Sequence, residues 1–202
     1  LVSFLKSGES NIGVLVNEGA EVIDLSLAAP DLPRDMNSFI DLGPGGLDQA
    51  ASAINAAGDD ARSKIEDLEL IAPIPVPRRN VFCVGRNYHE HAQEFHDSGF
   101  DATAGATAVP DDPIIFTKAT TSVSGPTDPI PAYLDSTNST DYEGELAVII
   151  GKEGRGISKA DAFDHVYGYT VSNDVTARTS QHKHKQWFIG KSLDGYCPMG
   201  PA

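Results

Sequence analysis

Cysteine occurs only twice in the 202 residues, as Cys83 in VFCVG and Cys197 in GYCPMG. Two thiols cannot build the disulfide framework of a small secreted domain, so ordinary reduced thiols are expected, with Cys83 a small core residue. Basic residues are scarce as well. With 15 Lys and Arg against 29 Asp and Glu, the net charge of −14 opposes nucleic acid and anionic membrane surfaces as partners. An anionic ligand would need a local basic pocket. No apolar run approaches the length of a membrane span, and no basic segment leading into an apolar one opens the chain, so a soluble, cytoplasmic protein is expected. Asn138-Ser139-Thr140 has a glycosylation pattern, but without a secretory signal it reads as a polar loop.

Several familiar sites are missing. Gly190-Lys191-Ser192 ends like a phosphate-binding loop, yet Lys185 stands where that loop needs its first glycine. There is no G-x-S-x-G nucleophile elbow, and GKEGRG lacks the dinucleotide-binding spacing. Neither C-x-x-C nor H-E-x-x-H marks a zinc site.

The hydrophobic content of 40% suffices for one substantial core, or a core with a small appendage. Residues 1–26 alternate short apolar runs with Gly- and Asn-containing turns and predict an antiparallel meander. LDQAASAINAA, Leu47 to Ala57, predicts a helix after the breaker LGPGG. The proline-dense IAPIPVPRRN places an extended linker at about residues 71–79, between a small N-terminal domain at 1–72 and a second domain at 80–202. Beyond it, VFCVG reads as a buried strand, RNYHEHAQEF as a loop entering a helix, and residues 96–112 as a mobile lid or a plain loop. PIIFTK, ELAVII and VYGYTVSND read as strands, with a short helix begun by Ser158.

The unusual stretch is TDYEGELAVIIG. Alternate strand residues share a face, so Glu143 and Glu145 project together, and Gly144 is expected to allow a close backbone approach. At an effective dielectric of ~20, unit charges ~4 Å apart interact by about 4 kcal/mol, so these anions are either solvated or held by a cation. Asp174 closes YGYTVSND, where a turn residue is common; taken with the glutamates, it completes a set of three hard oxygen ligands suited to Mg²⁺, Mn²⁺ or Ca²⁺. His91 and Glu94 stand at helical spacing, as a surface pair or as an imidazole oriented by a carboxylate. Lys118 and Lys191 either reach solvent or bind a substrate carboxylate or a developing enolate. His182 and His184, at strand spacing, read as part of a solvated basic loop.

Together, VGRNYHEHAQE, PIIFTKATTSVSGP, TDYEGELAVIIGK, VYGYTVSNDVTAR and QWFIGKSLDGYCPMGP resemble the fumarylacetoacetate hydrolase family across most of residues 80–202. The resemblance implies an α+β protein whose catalytic domain is a mixed β-roll with short helices, preceded by a small N-terminal α/β domain. It implies Glu143, Glu145 and Asp174 as ligands of Mg²⁺, and His91 with Glu94 as a water-activating dyad. Lys191 falls beside the metal, and Lys118, Arg178 and Gln181 fall where relatives contact substrate. Family catalytic domains continue past a Gly-Pro segment like Gly200-Pro201, through a TGTP-like motif missing here, so an incomplete roll is expected. The implied function is cleavage of a carbon–carbon bond in an acylpyruvate or related β-diketone acid by a homodimeric, metal-dependent hydrolase. Isomerisation of a 2-hydroxydienedioate, decarboxylation of an oxaloacetate-like keto acid, and noncatalytic metal binding are the alternatives.

Overall fold

The computed structural model describes residues 1–88 and 112–202. His91, Glu94 and residues 96–111 of the expected lid therefore lie outside the described residues. The fold is mixed, built of sheets with few helices. The predicted meander forms: β1 (Val2–Lys6), β2 (Glu9–Val16) and β3 (Glu21–Asp24) pair in antiparallel succession. β4 (Arg62–Lys64) and β5 (Glu69–Ile71) return to its two edges, giving the order β4-β3-β2-β1-β5. Asp24 ends β3 and caps the next helical turn, its Oδ1 accepting from Ser26 N at 2.8 Å.

The helix predicted at Leu47–Ala57 runs instead over Pro44–Ala56. Proline suits a first turn because its missing N–H would have no partner there, so the supposed breaker begins the helix. Ile12, Leu25, Met36, Phe39, Ala50 and Ile74 form one buried cluster beneath it. Ile74 corrects the linker reading. Ala72, Pro73 and Ile74 are buried, and Pro73 O accepts from Ser3 Oγ at 2.8 Å, so the start of this segment is core rather than spacer, while Val76 is exposed.

β6 (Val81–Gly85) pairs antiparallel with β7 (Ile114–Lys118), and β10 (Gly144–Ile150) with β11 (Val166–Asn173). Two short strand pairs accompany these hairpins. β8 (Val123–Ser124) runs parallel to β13 (Cys197–Pro198), and β9 (Thr140–Asp141) pairs with β12 (Thr176–Ala177). The helix expected after Ser158 is a 3₁₀ turn at Ala162–His165. The fully buried strand expected from VFCVG is also corrected, since Phe82 is 65% and Val84 45% exposed. In β10 and β11, Leu146, Val148, Ile150, Tyr169 and Val171 share an exposed face, so both apolar runs are covered on one side only. Among the described residues no helix is long and apolar enough to cross a membrane.

Candidate active site

The β10–β11 ladder brings the acids together. Glu145 faces Ser172 across it, and the pairing continues one step outward, where Asp174 N donates to Glu143 O at 2.8 Å and Glu143 N donates to Asn173 Oδ1 at 3.0 Å. Strand parity then sets Glu143, Glu145 and Asp174 on the face opposite Leu146 and Val171. All three line one open cavity of about 970 Å³, with Lys118, Lys191, Gln181, Trp187 and Cys83. Gly144 does not serve the expected close approach. A Cβ there would meet nothing within 4 Å.

Cations already engage the acids. Lys118, 1% exposed, donates to Asp174 Oδ1 at 2.7 Å and to Val175 O at 3.0 Å. Lys191, 2% exposed, donates to Asp174 Oδ2 at 2.7 Å and to Glu143 Oε2 at 2.6 Å. Arg178 donates from Nε and Nη2 to Asp141 Oδ2 at 3.1 and 2.9 Å, and from Nη1 to Glu143 Oε1. Lys118 and Arg178, expected at the substrate, are therefore held by the protein's own carboxylates. Burial opposes the charge on Asp174, but the fields of Lys191 and Lys118 hold its carboxyl below the usual range. Burial is also the main reason the Cys83 thiol is pushed up to about 12, so it is not a ready nucleophile near neutral pH.

The cations are placed by close packing. Val81, Cys83 and Gly85 oppose Lys118, Phe116 and Ile114 on the site face of β6–β7. Over them lies Trp187, edge-on to Phe116 with centroids 5.1 Å apart, and a Cβ at Gly85 would come within 2.5 Å of its ring. Lys191 ends the helical turn Phe188–Lys191, its Nζ 5.2 Å from the Phe116 centroid. That turn packs on the helix Arg178–Lys183, where a Cβ at Gly190 would lie 2.5 Å from Gln181 N and 2.9 Å from Ala177 O. Since both obstacles are backbone, Gly190→Ala is expected to cost about 1–3 kcal/mol of stability and to displace Lys191, whereas Gly144→Ala leaves melting unchanged. Equal melting temperatures for the two variants would refute this packing. The helix also corrects the strand spacing expected for His182 and His184, which are exposed and two positions apart on it and its cap.

Two further acids shape the segment that leads into the site. Asp141, missed by the sequence reading, continues the alternate-residue pattern of Glu143 and Glu145 backward, and that pattern was the available signal. Asp135, 3% exposed, accepts from Thr137 N, Ser139 N and nearby hydroxyls, folding the sequon loop into a knot before β9. Burial opposes its ionisation, but the bonds from Thr137 and Ser139 outweigh this and hold its pKa at about 2. Because the folded value lies below the ordinary one, this contribution to stability is complete above about pH 4 and is lost as the pH falls toward 2. Asp135→Asn should flatten the acid limb of a melting-temperature-versus-pH curve, and an unchanged acid limb would refute the knot's role.

The family model described as fumarylacetoacetate (FAA) hydrolase C-terminal matches residues 80–202. The chain belongs to the fumarylacetoacetate hydrolase family. A Bacillus subtilis strain 168 protein described as oxaloacetate tautomerase YisK is 50% identical over 138 residues, 68% of this chain and 43% of that protein. The Xenopus laevis protein described as oxaloacetate tautomerase fahd2, mitochondrial, is 39% identical over 206 residues, 100% of this chain and 60% of that protein. The solved structure of fumarylacetoacetate hydrolase from psychrophilic Exiguobacterium antarcticum matches with a TM-score of 0.72 at 37% identity, over 99% of this chain and 64% of that one. The chain thus spans less than two thirds of the length of each of these family members.

Among the described residues no group of three or more His, Cys, Asp or Glu is gathered tightly enough to hold a metal ion. The oxygen donors of Glu143, Glu145 and Asp174 are nevertheless of the hard type that suits a divalent ion. Lys191 Nζ lies within hydrogen-bond distance of both Glu143 and Asp174, which shows that a cation is accommodated between them, and Glu145 lines the same cavity from the same face.

Proposed function

We propose that this chain carries the site of a metal-assisted keto–enol tautomerase for small 2-keto dicarboxylic acids of the oxaloacetate class. The supporting observation is the buried ammonium pair of Lys118 and Lys191, set against Glu143 and Asp174 in an open cavity. In a chain of net charge −14, this places two buried ammonium groups, balanced by carboxylates, in the cavity that an anionic keto acid would enter. Relatives described as oxaloacetate tautomerases support this substrate class and favour enolate chemistry over the hydrolase expected at first.

Glu143, Glu145 and Asp174 would hold Mg²⁺, with Mn²⁺ or Ca²⁺ as substitutes, because hard oxygen donors favour these ions. When bound, the ion supplies Lewis-acid polarisation of a substrate carbonyl. Lys191 holds the charge that gathers on the C2 oxygen as a proton leaves C3, and Gln181, buried in the cavity wall, borders the substrate. Arg178 acts through Glu143, fixing its direction from the far side. His91, oriented by Glu94, takes the C3 proton and returns a proton to the oxygen, so the substrate loses none and needs no water. The mixed β-roll and the homodimer implied by the resemblance belong to the same proposal.

The test is a keto-acid panel followed by product, with Mg²⁺ and with chelator. Oxaloacetate enol–keto interconversion is expected to accelerate with Mg²⁺ and to lose that acceleration with chelator. Cleavage of an acylpyruvate with no effect on interconversion would restore the hydrolase reading, and release of CO₂ would indicate the decarboxylase.

A further inference from the structure

Lys118 and Lys191 both sit on Asp174, yet they are anchored differently. Lys118 ends a paired strand, and its second hydrogen bond goes to the main-chain carbonyl of Val175, a neutral acceptor whose position is fixed by the backbone. Lys191 extends from a four-residue helical turn, and both of its hydrogen bonds go to carboxylates, Glu143 Oε2 at 2.6 Å and Asp174 Oδ2 at 2.7 Å. Its Nζ thus occupies the point where two of the three candidate ligand carboxylates converge. A divalent ion and an ammonium sharing these same oxygens repel each other strongly in a buried site.

We propose that Lys191 is a resident cation that the metal ion displaces, whereas Lys118 is a positioning residue that holds Asp174 in both states. This rests on the metal-binding reading above and adds an order of events. Without metal, Lys191 Nζ satisfies Glu143 and Asp174, so neither carboxylate is left as an uncompensated buried charge. On exchange, the same ammonium leaves the carboxylates and turns toward the cavity, where it is available to an anionic substrate oxygen. One lysine therefore pairs with the carboxylates when no metal competes for them and equips the metal-loaded site. Lys118 keeps its bond to Val175 O throughout and prevents Asp174 from swinging when Lys191 departs.

The test is thermal unfolding of the wild-type chain, Lys191→Met and Lys118→Met, in chelator and in saturating MgCl₂ or MnCl₂. In chelator, both variants are expected to melt below the wild type, because each leaves Asp174 short of a partner. With metal, the Lys191→Met deficit should close, since its ion pairs are absent from the loaded wild type too, and the Lys118→Met deficit should persist. A Lys191→Met deficit equally large with and without metal would overturn the exchange while leaving the metal site standing. Failure of the wild type itself to shift with either ion would instead remove the metal reading, and the exchange with it. Should Lys191→Met not fold, a wild-type crystal structure with Mn²⁺ decides: Lys191 Nζ out of hydrogen-bond reach of both carboxylates supports exchange, and Nζ still bonded to them refutes it.

Discussion

Asp174→Asn is expected to lower stability by about 3–5 kcal/mol, the usual cost of breaking a buried ion pair by removing one partner. Asp174 accepts from both Lys118 and Lys191, whose side chains are 1% and 2% exposed, so its loss leaves two buried ammonium groups with reduced compensation. An asparagine still offers one carbonyl oxygen, but its amide group would direct N–H toward the other lysine. Lys191 retains Glu143, while Lys118 retains only the Val175 carbonyl. For a chain of this size, each kcal/mol moves the melting temperature by roughly 2–4 °C, so a fall on the order of 10 °C is expected. Adding Lys118→Met to Asp174→Asn should cost less than the two single changes summed, because the double variant no longer strands the Lys118 charge. Chemical and thermal unfolding measure both quantities. A fall of only a degree or two, or simple additivity, would show that the pairs contribute little.

The acids were legible because strand parity is a rigid rule. Once TDYEGELAVII is taken as a strand, Glu143 and Glu145 must share a face, and the antiparallel partner ending at Asn173 delivers Asp174 to the same face. The same rule reaches Asp141, which the sequence reading passed over. The cations were harder to read. Lysine at a strand end states that a charge is present but not which anion receives it, and Lys118 meets Asp174 from 56 residues away. Lys118 and Arg178 were expected at the substrate, and the sequence could not say that protein carboxylates also engage them. Gly85 and Gly190 show the same limit, since their neighbours are a ring and a backbone from other segments. The strands were found, but burial on both faces was not a safe inference from apolar runs, because each hairpin's outer face is uncovered among the described residues.

His91→Ala is expected to reduce turnover by about 10²–10⁴-fold, the range for loss of a positioned general base. Metal binding should survive, because the three candidate ligand carboxylates stand on the β10–β11 ladder rather than in the segment that carries His91. Glu94→Gln should lose less, since it alters the orientation and basicity of the imidazole without removing it. The products then decide among the reactions. A tautomerase loses enol–keto interconversion in His91→Ala, and a hydrolase loses cleavage because water is no longer activated. A decarboxylase needs neither attacking water nor C3 deprotonation to break its bond, so CO₂ release would fall least. Substrate disappearance alone would merge these outcomes; the enol, the cleaved acid and CO₂ must be followed separately. A folded, metal-binding His91→Ala variant with undiminished interconversion and cleavage would remove His91 from the chemistry and leave Lys191, at 2.7 Å from Asp174, as the remaining proton carrier to test.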